Sequence, residues 1–563
     1  MVFHGRRRFV LLLFLLCFLS LFARAVDLQV FQHEFLLAKA ERGHFTNITV
    51  PANRGMITDR NNKVLAVSTP VGKVWYHPSA EQRLNNAQRT FVQSVLDIGG
   101  SAIATAEKNN SRRYLHRAVP FDLLGKISEA KLPGIGIERS YRRYYPQGET
   151  FAHVLGFTNV DDHGQEGLEY AFDDYLAGQA GLRRVLRDRR GNVLEQVSQL
   201  KGKQAGRTLR LSLDERIQYL AYIDIKRAVT EHKAKSGSAI VLDVHTGEVL
   251  AMVSQPSFNP NDWNSRLADS VRNRAVKDLF EPGSTFKPFT LAAALESGRY
   301  SENSMIDTSP GSFKIGSRTI KDPRNYGLMN FGTLLSRSSN VGASMVSMSL
   351  PKKELWEMLD RAGFGRITDS GFPHEVNGAL RDYEGWYPDD QANISFGYGV
   401  SVTPLQLAQG YSIIAADGLL RPITFLPADD KVEPKRVMSV DTARAVRNMM
   451  QEVVSPQSTG FKAAVEGYRV AGKTGTSQKL INGIYSDENH FATFAGMAPA
   501  EAPRLVVVVV IDDPGHAEDF GGGDVAAPVF SSIMRSALRL LNVRPDQSAP
   551  AGQFKHGVTE VNL

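Results

Sequence analysis

Glu281-Pro282-Gly283-Ser284-Thr285-Phe286-Lys287-Pro288 is the stretch around which the rest of this chain can be read. A serine three residues ahead of a lysine, S-x-x-K, opens a helix-like run from Phe286 to Leu295 that stops near Gly298. Positions i and i+3 share a helix face, so the Ser284 hydroxyl is expected beside the Lys287 amine. A helix start also offers backbone N–H groups and a positive dipole end to a developing oxyanion. Two more short motifs follow in order, Ser338-Ser339-Asn340 (S-x-N) and Lys473-Thr474-Gly475-Thr476 (K-T-G). A serine nucleophile needs a base, a proton relay and an oxyanion site, and three separate elements can supply them. No single motif is specific. S-x-x-K recurs at Ser128/Lys131, Ser198/Lys201 and Ser349/Lys352, and Lys235-Ser236-Gly237 mimics the third motif. Order, spacing and the strand-like Val470-Ala471 before Lys473 single out the set.

The chemistry adds a condition. Lys287 must be at least partly neutral to take a proton. Burial near a second cation lowers a lysine pKa, and Lys473 is the natural second cation. Gly475 lets a bound peptide approach the strand closely, and Pro288 lies where a missing N–H costs least.

The 563 residues, 42% hydrophobic and 22% charged, describe a globular chain long enough for two to four domains. The net charge of +7 is spread along the chain. No basic block with interleaved aromatics marks a nucleic-acid site, and a mildly basic surface suits an anionic membrane or wall. Cys17 is the one cysteine, so no internal disulfide and no thiolate metal cluster is expected. No paired-histidine spacing calls for a catalytic metal, and no cofactor is implied.

Arg6-Arg7-Arg8 precede an apolar run from Phe9 to Ala23, broken by Ser20. That run is short against the roughly 20 residues of a spanning helix, and Ala23-Arg24-Ala25 mimics a signal-peptide cleavage site. Arg24 is poor for cleavage and can snorkel to the interface. The expectation is a cytoplasmic tail at 1–8, an anchor at 9–25, and everything after Val26 in the periplasm.

Residues 26–208 read as an α+β region with short strands, among them Lys73–Tyr76 and Leu182–Leu186. Arg139-Ser140-Tyr141-Arg142-Arg143 reads as a solvated or ion-paired face. A polar boundary falls near Gly202 to Arg207. Beyond it, Glu215 to Val229 has helical spacing. Ser238–Asp243 and Glu248–Val253 read as a hairpin, and Leu505–Ile511 as a strand covered on both faces. Strands first, helices in the middle and strands last imply an antiparallel sheet with helices on both faces in an α+β fold. Residues 544–563 read as a polar, disordered tail.

Together, the three motifs resemble the penicillin-binding transpeptidase signature. Upstream, Arg54–Asn61, Tyr144-Tyr145-Pro146, Gly164–Glu169 and Asp188-Arg189-Arg190-Gly191 resemble motifs of the non-catalytic domain of class B penicillin-binding proteins, closest to the division type. The resemblance runs from about Val26 to about Val543. It implies a pedestal at 26–208 and a transpeptidase domain at 209–543 built on a five-stranded sheet. By resemblance, Ser338 relays the proton to the leaving group, and Asn340 positions Lys287 and the substrate amide. Lys473, Thr474 and Thr476 bind the terminal carboxylate, and the Ser284 and Thr476 N–H groups form the oxyanion hole. The implied partners are peptidoglycan stem peptides with a diaminopimelate acceptor, β-lactams bound covalently at Ser284, and division membrane proteins. The last include a glycosyltransferase of the shape, elongation, division and sporulation (SEDS) family. Phe396-Gly397-Tyr398-Gly399 resembles a segment lining the site, and equally reads as a turn before a helix at Thr403.

The rivals are an elongation-type enzyme, a carboxypeptidase or β-lactamase on the same fold, and a non-catalytic sensor or scaffold. Glu81-Gln82-Arg83-Leu84-Asn85 imitates a β-lactamase glutamate motif but precedes the nucleophile, and reads as chance. An uncleaved anchor makes one prediction. Intact mass of the membrane fraction should retain residues before Val26; a soluble periplasmic chain starting at Val26 contradicts it.

Overall fold

The computed structural model describes residues 3–36, 45–78, 83–187, 193–428, 432–515 and 521–547. Glu81, the Asp188–Gly191 motif and the tail beyond Gln547 lie outside the described residues. Helix α1 spans Phe3–Val26 and runs unbroken through the cleavage-like Ala23-Arg24-Ala25. It is long and apolar enough to cross a membrane.

The packing divides the chain into two compact units. One unit holds Met1–Gly55, Pro70–Tyr141 and Ala177–Arg207; the other holds Met56–Thr69, Arg142–Leu176 and Thr208–Leu563. In the first unit, Phe45–Val50, Gly181–Arg187 and Val193–Lys201 form a three-stranded antiparallel sheet. A separate small core gathers Val74, Tyr76, Val92, Leu96, Ile103 and Leu124.

Residues 142–176 belong to the larger unit for a physical reason. Leu155, Leu168 and Leu176 are buried in its main core. Arg143, read in the sequence as part of a solvated or ion-paired face, is 1% exposed and pairs with fully buried Glu169 at 2.6 Å.

The larger unit is built on an antiparallel sheet. Its strands are β1 (Ser236–Asp243), β2 (Val249–Gln255), β3 (Ala471–Ile481), β4 (Ile484–Ala498) and β5 (Leu505–Asp512), in the order β2-β1-β5-β4-β3. The valine run explains how the sheet is held. Side chains alternate across a strand, so Val506, Val508 and Val510 enter one core while Leu505, Val507, Val509 and Ile511 enter the other. The second core is closed by α2 (Glu215–Glu231) and by a C-terminal helix, Ala526–Leu540. The first core is filled by the helices between the strand pairs. They include α3 (Lys287–Glu296), α4 (Phe331–Arg337), α5 (Asn340–Met348) and α6 (Pro404–Ala415). The sheet thus carries helices on both faces, and β3 is one of its two edge strands.

The buried Arg143–Glu169 pair makes a prediction. Arg143→Met removes the ion-pair partner of a buried carboxylate and should destabilise the unit by about 3–5 kcal/mol, with much of that recovered in Arg143→Met/Glu169→Leu. Urea denaturation checks both; equal losses in the single and double variants contradict the account.

Candidate active site

Ser284 lies on a single 3-10 turn, Gly283–Phe286, that leads directly into α3. Side chains at i and i+3 eclipse in a 3-10 turn, which stacks Lys287 over Ser284 more closely than an α-helix would. The Lys287 Nζ stands 2.9 Å from Ser284 Oγ. The second motif is a break between two helices. Ser338 caps α4 in the left-handed region at φ 57°, where a side chain costs of order 1 kcal/mol. Two backbone bonds hold it there, Ser338 N–H to Leu335 O and Ser339 N–H to Leu334 O, both 3.1 Å. Ser339 caps α5, its Oγ accepting from Gly342 N–H at 2.8 Å. The break turns Ser338 and Asn340 toward Lys287. The third motif arrives on the edge strand β3.

The three motifs meet at two lysines, both fully buried. Lys287 Nζ lies 2.5 Å from Ser338 O, 2.7 Å from Asn340 Oδ1 and 3.1 Å from Ser338 Oγ. Lys473 Nζ lies 3.0 Å from Ser338 Oγ, 3.0 Å from Thr474 O and 3.2 Å from Thr474 Oγ1. The Ser338 hydroxyl is thus shared by both amines. Burial and then the Lys473 cation hold the Lys287 amine far below the usual lysine range, with Asp322 acting against them. Burial pulls Lys473 down to about 7.

The hydrogen bonds accommodate one charge on the pair. A neutral amine has two N–H bonds and one lone pair. Ser338 O and Asn340 Oδ1 can only accept, so they take both N–H bonds of Lys287, and the lone pair is left for the Ser284 hydroxyl. An ammonium has three N–H bonds, and the Thr474 carbonyl with the hydroxyls of Thr474 and Ser338 can accept all three of Lys473. The geometry therefore suits a neutral Lys287 beside a charged Lys473.

The remaining predicted residues fall around this cluster. Gly475 is tightly enclosed: a Cβ there would stand 2.9 Å from Thr285 Cγ2 and 3.0 Å from Pro282 O. The glycine is what lets β3 pass against the turn that carries Ser284. Thr476 is exposed and has no bond to the lysines; its Oγ1 accepts from Gly522 N–H at 3.1 Å. Lys235-Ser236-Gly237 begins instead at the start of β1, paired with Ile511–Asp512. Phe396–Gly399 is a turn that also abuts the site. Gly397, at φ 85°, accepts Gly283 N–H at 3.1 Å, and Tyr398 Oη accepts Gln478 N–H of β3 at 3.2 Å.

Two acids escaped the sequence reading. Asp322 accepts from Asn340 N–H at 2.7 Å and Val341 N–H at 3.2 Å, and its other oxygen bonds the Ser339 hydroxyl. It anchors the S-x-N break from a loop that carries no motif. Glu281 accepts from Gly399 N–H at 2.7 Å and from the Tyr485 hydroxyl at 3.1 Å, and burial pushes its carboxyl up.

A sheet with helices on both faces and a serine–two-lysine cluster between its edge strand and a buried helix defines an acyl-transferring serine enzyme. Comparisons agree. The description "Penicillin binding protein transpeptidase domain" matches residues 237–535, and "Penicillin-binding Protein dimerisation domain" matches residues 49–211. The chain is 41% identical over 540 residues to the peptidoglycan D,D-transpeptidase FtsI of Escherichia coli K12, covering 94% of this chain and 91% of that one. It is 38% identical over 557 residues to the probable peptidoglycan D,D-transpeptidase PenA of Neisseria meningitidis, covering 98% and 95%. Among solved structures, penicillin-binding protein 3 of Mycobacterium tuberculosis with aztreonam shares 30% identity and a TM-score of 0.70, covering 89% of this chain and 98% of that one. The transpeptidase domain of Burkholderia pseudomallei penicillin-binding protein 3 shares 42% identity and a TM-score of 0.56, covering 60% and 98%. The chain belongs to the class B penicillin-binding proteins.

Asp322 makes a prediction. Asp322→Ala leaves the first N–H groups of α5 unpaired and should cost about 1–3 kcal/mol of stability. Thermal denaturation checks it; an unchanged melting point contradicts the anchoring role.

Proposed function

We propose that this protein is a serine D,D-transpeptidase that cross-links peptidoglycan stem peptides at the division septum. The observation that carries the reading is the Lys287 amine, whose two N–H bonds are taken by Ser338 O and Asn340 Oδ1 while Ser284 Oγ stands 2.9 Å away. The septal assignment is supported by similarity to the relative named FtsI.

Ser284 Oγ attacks the carbonyl of the penultimate D-Ala, and its proton passes to Lys287. The Ser284 and Thr476 backbone N–H groups hold the oxyanion. Thr476 holds the donor's terminal carboxylate, with the Lys473 charge and Thr474 behind it. Collapse breaks the peptide bond. The departing D-Ala amine takes its proton through Ser338, whose oxygen stays bonded to both lysines. The acyl ester on Ser284 then passes to an amine of a neighbouring stem peptide, a diaminopimelate side chain; Lys287 accepts the proton that amine loses and returns it to Ser284 Oγ as the ester bond breaks. β-Lactams enter the same first step and remain as an ester on Ser284.

Residues before Phe9 lie in the cytoplasm, α1 crosses the inner membrane, and the catalytic domain acts in the periplasm. The glycan strand comes from a partner, a SEDS-family glycosyltransferase held with other division membrane proteins.

Three outcomes test this. Intact mass after incubation with a fluorescent penicillin should show one adduct on the wild type and none on Ser284→Ala. An equal adduct on Ser284→Ala contradicts the nucleophile. The acylation rate should rise with pH as Lys287 loses its proton and fall above about 7 as Lys473 loses its charge. Lys473→Ala removes a neighbouring cation, raises the Lys287 pKa, and should move the acid limb to higher pH. Asp322→Asn removes an acid that favours the charged form and should move it lower. Unmoved limbs contradict the assignment. Finally, the purified chain given lipid-linked precursor should polymerise no glycan alone and cross-link strands when the partner is present; polymer from the isolated chain refutes this division of labour.

A further inference from the structure

Thr459 lies outside all three motifs, yet the hydrogen bonds lead to it. Lys473, as an ammonium, spends one N–H on Thr474 Oγ1 at 3.2 Å. Thr474 is 7% exposed, and its own hydroxyl donates to Thr459 Oγ1, again at 3.2 Å. Among the described residues, the Thr459 proton finds Ser336 O as its acceptor, at 3.3 Å. That is long for an O–H···O bond, which prefers about 2.7–2.8 Å. The direction of the chain is forced at both ends, because an ammonium only donates and a carbonyl only accepts.

Thr474, read in the sequence as a carboxylate ligand, is thus nearly covered and already engaged. The exposed hydroxyls are Thr476 and Thr459. Thr476 Oγ1 accepts from Gly522 N–H, which leaves its proton for a ligand. The glycines of 521–523 hold both residues in place. A Cβ on Gly523 would stand 2.2 Å from Thr459 O, and one on Gly522 would stand 2.3 Å from Gly475 O.

We propose that Thr459 is a further hydroxyl of the carboxylate subsite, polarised by Lys473 through Thr474, and that it donates to the carboxylate of a bound D-Ala-D-Ala terminus or β-lactam. The inference rests on the reading of this cluster as the acylation site. A carboxylate outcompetes the Ser336 carbonyl because hydrogen bonds to an ionised acceptor are about twice as strong as neutral ones. Only the hydroxyl proton has to swing. The chain then conveys part of the buried Lys473 charge to the ligand without exposing the ammonium.

The test is the acylation rate constant of the full-length protein in detergent with a penicillin and with its methyl ester, at one pH. Wild type, Thr459→Val, Thr459→Ala and Thr459→Ser are compared. The penicillin-to-ester ratio should fall about ten-fold in the valine and alanine variants and stay near the wild-type value in the serine variant. An unchanged ratio overturns the proposal, and so does an equal loss for both compounds, which marks a purely structural role. Ser284→Ala separates the two readings. If it still takes up penicillin, the acylation site itself is misassigned and the Thr459 role falls with it. If it does not, the ratio alone decides for Thr459.

Discussion

Two fully buried lysines share one hydroxyl, Ser338 Oγ, at 3.1 and 3.0 Å, and the catalytic unit depends on that arrangement. Two ammonium groups so close in a low-dielectric interior repel strongly, and each loses its hydration. One positive charge is therefore the stable content of the pair. Lys287 is depressed by burial and by the Lys473 cation, Lys473 by burial alone, so the charge rests on Lys473. A base that loses its proton well below the ordinary lysine range follows from this charge partition.

The scaffold reads as the means of holding that pair. A left-handed residue at Ser338 breaks one helix from the next and brings a hydroxyl and an amide to Lys287. A glycine at 475 lets the edge strand approach the 3-10 turn of Ser284. Asp322 closes the break from behind. It also pushes the Lys287 pKa upward, against burial and Lys473. The anchor of the motif thus moderates how far the base is depressed.

Much of this was legible in the chain. Leu505–Ile511 is apolar at every position, which only a strand covered on both faces can use, and its alternate residues do enter two different cores. The S-x-x-K, S-x-N and K-T-G spacings named the residues that meet. What was not legible depends on contacts across the fold. Asp322 and Thr459 sit in polar loops with no periodic pattern, and their partners come from elements far away in sequence. Arg143 sits in an arginine-rich segment read as a solvated or ion-paired face, but it is buried against Glu169, which draws residues 142–176 into the larger unit. Helical spacing placed Ser284 on an α-helix. The observed 3-10 turn differs by one hydrogen-bond step, which residue pattern does not resolve.

The central claim is that Lys287 is the neutral member of the pair. The most direct measurement is the 13Cε chemical shift of Lys287 in lysine-labelled full-length protein, assigned by loss of its signal in Lys287→Ala and followed against pH. The account predicts a neutral amine at pH 7, titrating well below the ordinary lysine range, with Lys473 titrating at about 7. A Lys287 signal that stays that of an ammonium up to the ordinary lysine pKa, about 10.4, would contradict it.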